Sequence, residues 1–118
     1  LTKPHPLQFD ADYQEVITGG KNGVISAYTP EGKKIGQSTM PTGVDQCTLD
    51  ASIHILACAG DGKLWTMQLE RDAAPHLISS IDTGHKEVHT VTVDPKTHWM
   101  WTVWWGPSGD YVQAYKER

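Results

Sequence analysis

The chain alternates apolar and polar residues in short runs that are separated by turn residues. Three of these runs end in an aspartate and share one pattern: PHPLQFD at 4–10, VDQCTLD at 44–50 and VHTVTVD at 88–94. In each run two apolar residues flank one other residue just before the aspartate. One face of the segment is therefore apolar, as in a half-buried β-strand. The aspartates, Asp10, Asp50 and Asp94, are 40 and then 44 residues apart, and a period of this length indicates a repeat architecture.

Alignment on these aspartates predicts short antiparallel strands, named a to d, within each repeat. Strand a is predicted at 7–10, 47–50 and 91–94, and strand b at 15–18, 55–59 and 99–104. Strand c is predicted at 24–28, 64–69 and 111–115, and strand d at 34–40 and 77–83. Glycine-rich turns separate strands b and c, because glycine adopts positive φ without strain. No segment has a sustained helical period, so the sequence predicts an all-β fold.

Four short antiparallel strands that recur about every 40 residues are typical of the blades of a β-propeller. The segment GHKEVHTVTVDP at 84–95 resembles the Gly-His opening and first strand of a WD40 repeat. Where WD40 repeats carry Trp-Asp after strand c, this chain has Tyr28, Gln68 and Tyr115, so it is more similar to YVTN-type and quinoprotein-like propellers. The resemblance implies three consecutive four-stranded blades, the third without its outer strand. Their approximate bounds are 5–43, 44–84 and 85–118.

Three blades are too few for a closed propeller, because known propellers close with roughly four to eight. An open arc exposes the apolar faces of its first and last blades together with unpaired strand edges. We therefore expect the chain to be part of an assembly, and favour two copies joined head to tail into a six-bladed ring. The predicted partner is then a second copy of the chain, in a homodimer. The alternative is that these residues are a piece of a longer propeller.

Composition and charge exclude some classes of partner. The 118 residues amount to 13.1 kDa, which is one domain, and 38% apolar with 20% charged residues fits a soluble protein rich in half-exposed strands. The net charge of −4 is spread along the chain without a basic run, which argues against nucleic acid and membrane surfaces as partners. No apolar stretch approaches the roughly 20 residues of a membrane helix, and residues 1–10 lack a signal-peptide pattern. None of these features indicates a compartment.

The two cysteines, Cys47 and Cys58, lie directly opposite each other if the predicted strands around 51–54 form a hairpin. A disulfide between them is then geometrically feasible. Buried reduced cysteines also behave as small apolar side chains. The sequence favours this second interpretation.

Three polar residues share one position of the repeat, five residues before each aspartate: His5, Asp45 and His89. Strand a lines the channel of a propeller, so the resemblance places these residues in a ring at one channel mouth, where propellers bind ligands. A dimer would bring together four histidines and two carboxylates, which are ordinary ligands of divalent metal ions. A divalent metal bound by these residues is therefore the candidate cofactor. The plainer interpretation, which we favour, is a polar rim that faces channel water.

The same rim supports an alternative function. Six-bladed hydrolases that resemble gluconolactonases hold a metal in this region and use it to activate water, which implies a metal-dependent hydrolase of small esters or lactones. Their ligands are mainly acidic and amide side chains, whereas this set is rich in histidine. The serines lack a nucleophile-elbow setting, and the glycine clusters are too short for a phosphate loop. We therefore predict a binding scaffold and no catalytic residue.

Four of the five tryptophans lie in HWMWTVWW at 98–105. Trp104 and Trp105 adjoin the turn GPSGD, where large flat rings can stack on a sugar or anchor a peptide. With Asp61, which lies in the b–c turn of the second repeat, they complete the candidate ligand-binding set beside the rim. The other three, Trp65, Trp99 and Trp101, are predicted to pack between blades.

The remaining polar repeat positions are assigned to turns and surface. Each aspartate that ends strand a is predicted to initiate the turn that follows it. His54 and His98 fall in these a–b turns, at the end opposite the rim. His85 lies in the loop before the third strand a, and His76 is predicted to be exposed.

Overall fold

Three antiparallel β-sheets make up the part of the chain, residues 2–117, that the computed structural model describes. Sheet 1 contains β1 (Pro4–Asp10), β2 (Glu15–Gly20), β3 (Val24–Tyr28) and β4 (Lys34–Thr39). Sheet 2 contains β5 (Gln46–Asp50), β6 (Ile55–Gly60), β7 (Lys63–Gln68) and β8 (His76–Asp82). Sheet 3 contains β9 (Val91–Val93), β10 (Trp99–Gly106) and β11 (Gly109–Lys116). In each sheet the strands are hydrogen-bonded in chain order, which confirms the all-β prediction.

The strands differ from their predicted bounds mainly at the ends of the chain. β1 begins at Pro4, because Pro4 is already paired with Gly20 across the sheet. β10 and β11 continue until Gly106 pairs with Gly109, so the predicted GPSGD loop is a hairpin with a two-residue turn. The alternating aromatic and β-branched residues of β10 favour this longer pairing. Within residues 2–117, no helix is long and apolar enough to cross a bilayer.

The turns between the first two strands of each sheet confirm the role predicted for the aspartates. Oδ1 of Asp10 accepts hydrogen bonds from the backbone N–H groups of Asp12 and Tyr13, both at 3.0 Å. Asp94 accepts from Lys96 in the same way, at 2.9 Å. The last residue of each turn has positive φ: Gln14 at 57°, His54 at 55° and His98 at 62°. These three residues therefore occupy equivalent positions in the three sheets.

The core lies in two layers between the sheets. Ile17 and Ile25 of sheet 1 pack with Leu56, Trp65 and Met67 of sheet 2. The opposite face of sheet 2 packs on sheet 3 in a smaller cluster that consists of Ala57, Ala59, Leu64, Val88, Val91 and Met100. Sheet 2 is thus covered on both sides, and every residue of β6 is buried. A strand buried on both faces loses its polar alternation, as ILACAG does.

Cys47 and Cys58 form a disulfide between β5 and β6, with their sulfur atoms 2.02 Å apart. The prediction of two reduced cysteines is therefore wrong. The two residues are directly paired across the strands, with Cα atoms 4.0 Å apart. Directly opposed positions bring the two Cβ atoms within bridging distance.

The predicted packing of the tryptophans is confirmed for one of the three. Trp65 is fully buried between sheets 1 and 2. Trp99 and Trp101 are 42% and 37% exposed, so their predicted place in the core is wrong for the described chain. They lie on the face of β10 opposite Met100, and Met100 is the residue that packs on sheet 2.

Candidate functional site

The predicted rim joins all three sheets through one carboxylate. Asp45, just before β5, lies 2.7 Å through Oδ1 from Nζ of Lys21 in sheet 1. Its Oδ2 lies 2.7 Å from Nδ1 of His89, just before β9. The side chain of His5 is exposed, and within the described range 2–117 it contacts neither Asp45 nor His89 through a hydrogen bond or ion pair. The structure thus brings together two of the three predicted residues and adds Lys21, which the sequence analysis missed.

The charges at the rim fit a bridge of ion pairs between sheets better than a metal site. Burial raises the pKa of Asp45, but hydrogen bonds from Lys21 and His89 outweigh burial, and the pKa lies below its usual value. Both carboxylate oxygens are engaged by these partners, and an ammonium group beside the site repels a cation. The donor set therefore does not fit a metal ion well, and the metal stays a prediction.

An aromatic stack lies at the same end of the molecule, on the turn side of sheet 3. Trp104 stacks against His85 at 4.1 Å between ring centroids and against Tyr111 at 5.5 Å. A cleft of about 700 Å³ opens beside the stack, and Lys86 and Trp105 also line it. Trp104 is half-buried by its neighbours, whereas Trp105 is 67% exposed. Of the two predicted tryptophans, Trp105 is therefore the one available to a ligand.

Asp61 extends this surface toward sheet 2. It occupies the β6–β7 turn with φ of 51° and lines a neighbouring hollow of about 440 Å³ together with His85 and Lys86. A Cβ added at Gly43 would lie 3.0 Å from Cβ of Asp61, so this turn contacts the loop that leads to Asp45. The predicted ligand residues of sheets 2 and 3 thus lie on one continuous surface, which we call the mouth. We define the mouth by Asp45, Asp61, His85, Lys86, His89, Trp104, Trp105 and Tyr111.

The opposite end carries two histidine–aspartate pairs that each join consecutive sheets. Asp10 Oδ2 of sheet 1 lies 2.6 Å from Nδ1 of His54, in the first turn of sheet 2. Asp50 Oδ2 of sheet 2 lies 2.7 Å from Nδ1 of His98, in the first turn of sheet 3. We call these pairs the latches. The sequence pattern placed both partners in turns. Each histidine follows its aspartate by one repeat plus four residues, a recurrence that does not by itself indicate a contact.

The second latch belongs to a cluster of ionisable groups. Ligand atoms of Asp50, His98 and Glu117 all lie within 4.8 Å of one another, beside a cleft of about 390 Å³. The hydrogen bond to Asp50 raises the pKa of His98 against the opposing effect of desolvation, and the charges of Asp50, Glu117 and Asp94 add to it. Because the same Asp–His pair recurs between sheets 1 and 2, we interpret this cluster as a junction between sheets.

A second kind of hydrogen bond also recurs at both junctions. Gln8 of β1 donates through Nε2 to the backbone carbonyl of Cys47 in β5, at 2.8 Å. Thr48 of β5 donates through Oγ1 to the backbone carbonyl of Val91 in β9, also at 2.8 Å. Gln8 and Thr48 each lie two residues before the aspartate of their repeat. The two junctions therefore share one register.

Each end of the row of sheets presents an apolar face. The tryptophan face is the side of sheet 3 that points away from sheet 2, and it consists of Thr92, Trp99, Trp101, Val103, Trp105 and Val112. The phenylalanine face is the side of sheet 1 that points away from sheet 2, and it consists of Leu7, Phe9, Val16, Thr18 and Tyr28. Ser26 lies on the same side but is fully buried. Leu7 is 68% exposed and Phe9 is 48% exposed. Adjacent exposed apolar groups of this size are typical of interaction surfaces.

Solved structures that share this arrangement identify the fold. The chain superimposes on the β-propeller domain of Cps50 (Swd1) from Myceliophteria thermophila with a TM-score of 0.74 over 92% of its length, at 11% sequence identity. The chain has a β-propeller fold. A structure of the nidogen/laminin complex matches the propeller segment with a TM-score of 0.67 over 96% of its length, at 12% identity. Sqt1 of Saccharomyces cerevisiae matches it with a TM-score of 0.65 over 96%, at 16% identity.

The propeller segment is shorter than the structures it resembles. It spans 38%, 44% and 34% of the lengths of those three chains. No family model matches its sequence, and no curated protein matches it. At these identities the similarity establishes the fold alone, and sheets 1 to 3 correspond to propeller blades.

Proposed function

We propose that this propeller segment is a binding scaffold that completes its ring by head-to-tail association of two copies and binds a ligand at the mouth. The observation that carries the proposal is the pair of exposed apolar faces at the two ends of the row of sheets. Two copies of three sheets give six blades, which falls within the roughly four to eight of known propellers. A scaffold role agrees with the solved structures that the segment resembles, one of which is a β-propeller domain and another a nidogen/laminin complex.

The repeat alignment supports burial of both outer faces. Trp101 and Val103 are equivalent to Ala57 and Ala59, which are fully buried between sheets 2 and 3. Leu7 is equivalent to Cys47, which is buried between sheets 1 and 2. The outer faces are thus the same sides of the blade that pack together inside the chain. Burying each large apolar side chain stabilises an association by about 1.5–3 kcal/mol. The two end faces together expose several such side chains.

The mouth supports the binding role. Trp105 is exposed at the edge of a cleft whose other lining groups include a cationic and an acidic side chain, Lys86 and Glu87. A flat ring beside polar groups suits a ligand that has both an apolar face and hydrogen-bonding groups, such as a sugar or an aromatic peptide. Trp105 also belongs to the tryptophan face, so the ligand site adjoins the surface where the second copy binds.

Light scattering of the purified chain tests the assembly. We expect about twice the monomer mass of 13.1 kDa, and Trp101→Glu should reduce the mass to that of a monomer by placing a charge in the joint. Leu77→Glu is the matched control, because Leu77 is an exposed apolar residue of β8 and lies outside both end faces. A stable monomeric wild type, or equal effects of the two substitutions, would contradict the proposal.

A further inference from the structure

We propose that the joint between two copies repeats the register of the two internal junctions, so that Asp94 of one copy contacts Gln14 of the second copy. Thr92 of the first copy then donates to the backbone carbonyl of Leu7 of the second. This inference rests on the proposed function, since it assigns the contacts of the same joint. It makes Gln14 and Asp94 the residues that set how two copies align.

The two latches indicate which residues meet at the joint between copies. Each internal junction joins the aspartate of one sheet to the positive-φ residue in the first turn of the next, at 2.6 Å and 2.7 Å. Asp94 is the third aspartate of this series and Gln14 is the first member of the turn series. In the described range, Asp94 forms hydrogen bonds only within its own turn. The third aspartate and the first turn residue are thus the two members left without a latch partner.

Gln14 can take the place of histidine chemically. Its amide N–H group donates to a carboxylate as the Nδ1–H group of a histidine does. It now donates to the carbonyl of Ala11 at 2.7 Å on the exposed surface, a local bond that water can replace. A neutral amide forms a weaker bond to a carboxylate than a charged imidazole does. The joint is therefore expected to be weaker than the internal junctions.

The hydrogen bonds from β1 and β5 to the next sheet indicate the same pairing. Gln8 and Thr48 donate to backbone carbonyls of the next sheet, three residues before its aspartate. Thr92 is the third member of this donor series and is exposed. The equivalent acceptor in sheet 1 is the carbonyl of Leu7. Both series therefore point to the same pairing of sheet 3 with the sheet 1 of another copy.

The sizes of the side chains that would face each other at the joint also fit this pairing. On the side that leads to the next sheet, sheet 3 has Trp101 where sheets 1 and 2 have Ile17 and Ala57. On the receiving side, sheet 1 has the half-buried Thr18 opposite the fully buried Ser26, whereas sheet 2 has Cys58 opposite Trp65. Sheet 3 has Thr102 opposite Gln113 at the same position. The largest donor face thus meets the receiving face that has the smallest pair of side chains at this position. Interdigitation of a large face with a small one is what close packing requires.

Gln14→His tests the inference by creating a latch at the joint. We expect the dimer dissociation constant, measured by analytical ultracentrifugation at pH 6, to fall roughly 1.5-fold to fivefold for each joint. The dimer contains the joint twice, so the combined change should be larger. Gln37→His makes the same substitution at an exposed site of β4 and should leave the constant unchanged. In an Asp94→Asn background, Gln14→His should give no gain, since asparagine keeps the turn but cannot form the ion pair.

The outcomes separate the two proposals. A wild-type dimer whose dissociation constant responds equally to Gln14→His and Gln37→His would overturn this register and leave self-association intact. A gain from Gln14→His that persists in the Asp94→Asn background would overturn it as well. A wild type that stays monomeric would overturn both proposals. Unfolding midpoints of the variants, by circular dichroism, establish that each one is folded.

Discussion

At the scale of single residues, the same side chain acts in turn formation and in joining sheets. Asp10 and Asp50 use one carboxylate oxygen for their own turn and the other for a histidine of the next sheet. The sequence pattern predicted the first role, because an aspartate before a turn is a local signal. It could not predict the second, because that contact depends on the orientation of two neighbouring sheets. The latches were therefore found only in the structure.

The latch between sheets 2 and 3 predicts a pH dependence. The pKa of His98 is raised in the folded protein, so its pairing with Asp50 stabilises the fold fully below about pH 6.5 and loses this contribution as pH rises through the folded pKa. When the pH is lowered from 8.5 to 5.5, the urea concentration at the unfolding midpoint should therefore rise more for the wild type than for His98→Gln. His76→Gln is the control: His76 lies 3.5 Å from Glu70, but both side chains are exposed and such a pair contributes little, so this variant should behave nearly as wild type. Equal pH dependence in all three proteins would contradict the assignment.

At the scale of strands and sheets, local alternation was sufficient for most of the architecture. β2, β3, β6 and β7 lie within one residue or two of their predicted bounds, because alternation and glycine turns define them. The Cys47–Cys58 disulfide was missed because two opposed cysteines have the same pattern whether oxidised or reduced. The exposure of Trp99 and Trp101 was missed for another reason: periodicity assigns a residue to a face, but it does not reveal whether a neighbour covers that face.

The disulfide predicts a stability difference within sheet 2. It closes a loop with a sequence separation of 11 residues, and chain entropy then gives about 2–3 kcal/mol of stabilisation. Adding a reductant should lower the free energy of unfolding of the wild type by about this amount. The double variant Cys47→Ala, Cys58→Ala should be insensitive to the reductant. A wild-type midpoint that does not respond to reductant would show that this cross-link adds no stability.

At the scale of the whole molecule, the three sheets form an arc with chemically different ends. The count of repeats predicted such an arc, and the similarity to propellers confirms the fold. Of the candidate site, the sequence identified Asp45, His89 and Asp61 as residues of one end, because turns on the same side of a sheet meet in space. It did not identify Lys21 or the His85–Trp104–Tyr111 stack, since the latter depends on ring orientation.

The mouth predicts ligand binding that depends on Trp105. When a set of neutral oligosaccharides and a set of aromatic peptides are tested, at least one member should bind the protein and quench its tryptophan fluorescence. Trp105→Ala should weaken that binding about tenfold, as expected for an interfacial tryptophan. Trp99→Ala is the control, because Trp99 is also an exposed residue of the tryptophan face but lines the cleft at the latch end of the molecule. No response to either set, or equal losses in both variants, would contradict a ligand site at the mouth.

The position of the aromatic cleft on one edge of sheet 3 has a consequence for a closed ring. A twofold axis would place two identical clefts on the same side of the particle, half a turn apart. An elongated ligand with two equivalent ends could then occupy both clefts at once, and the second contact would be intramolecular. Such a molecule would bind with an avidity that neither cleft provides alone, and that avidity would disappear when the particle dissociates.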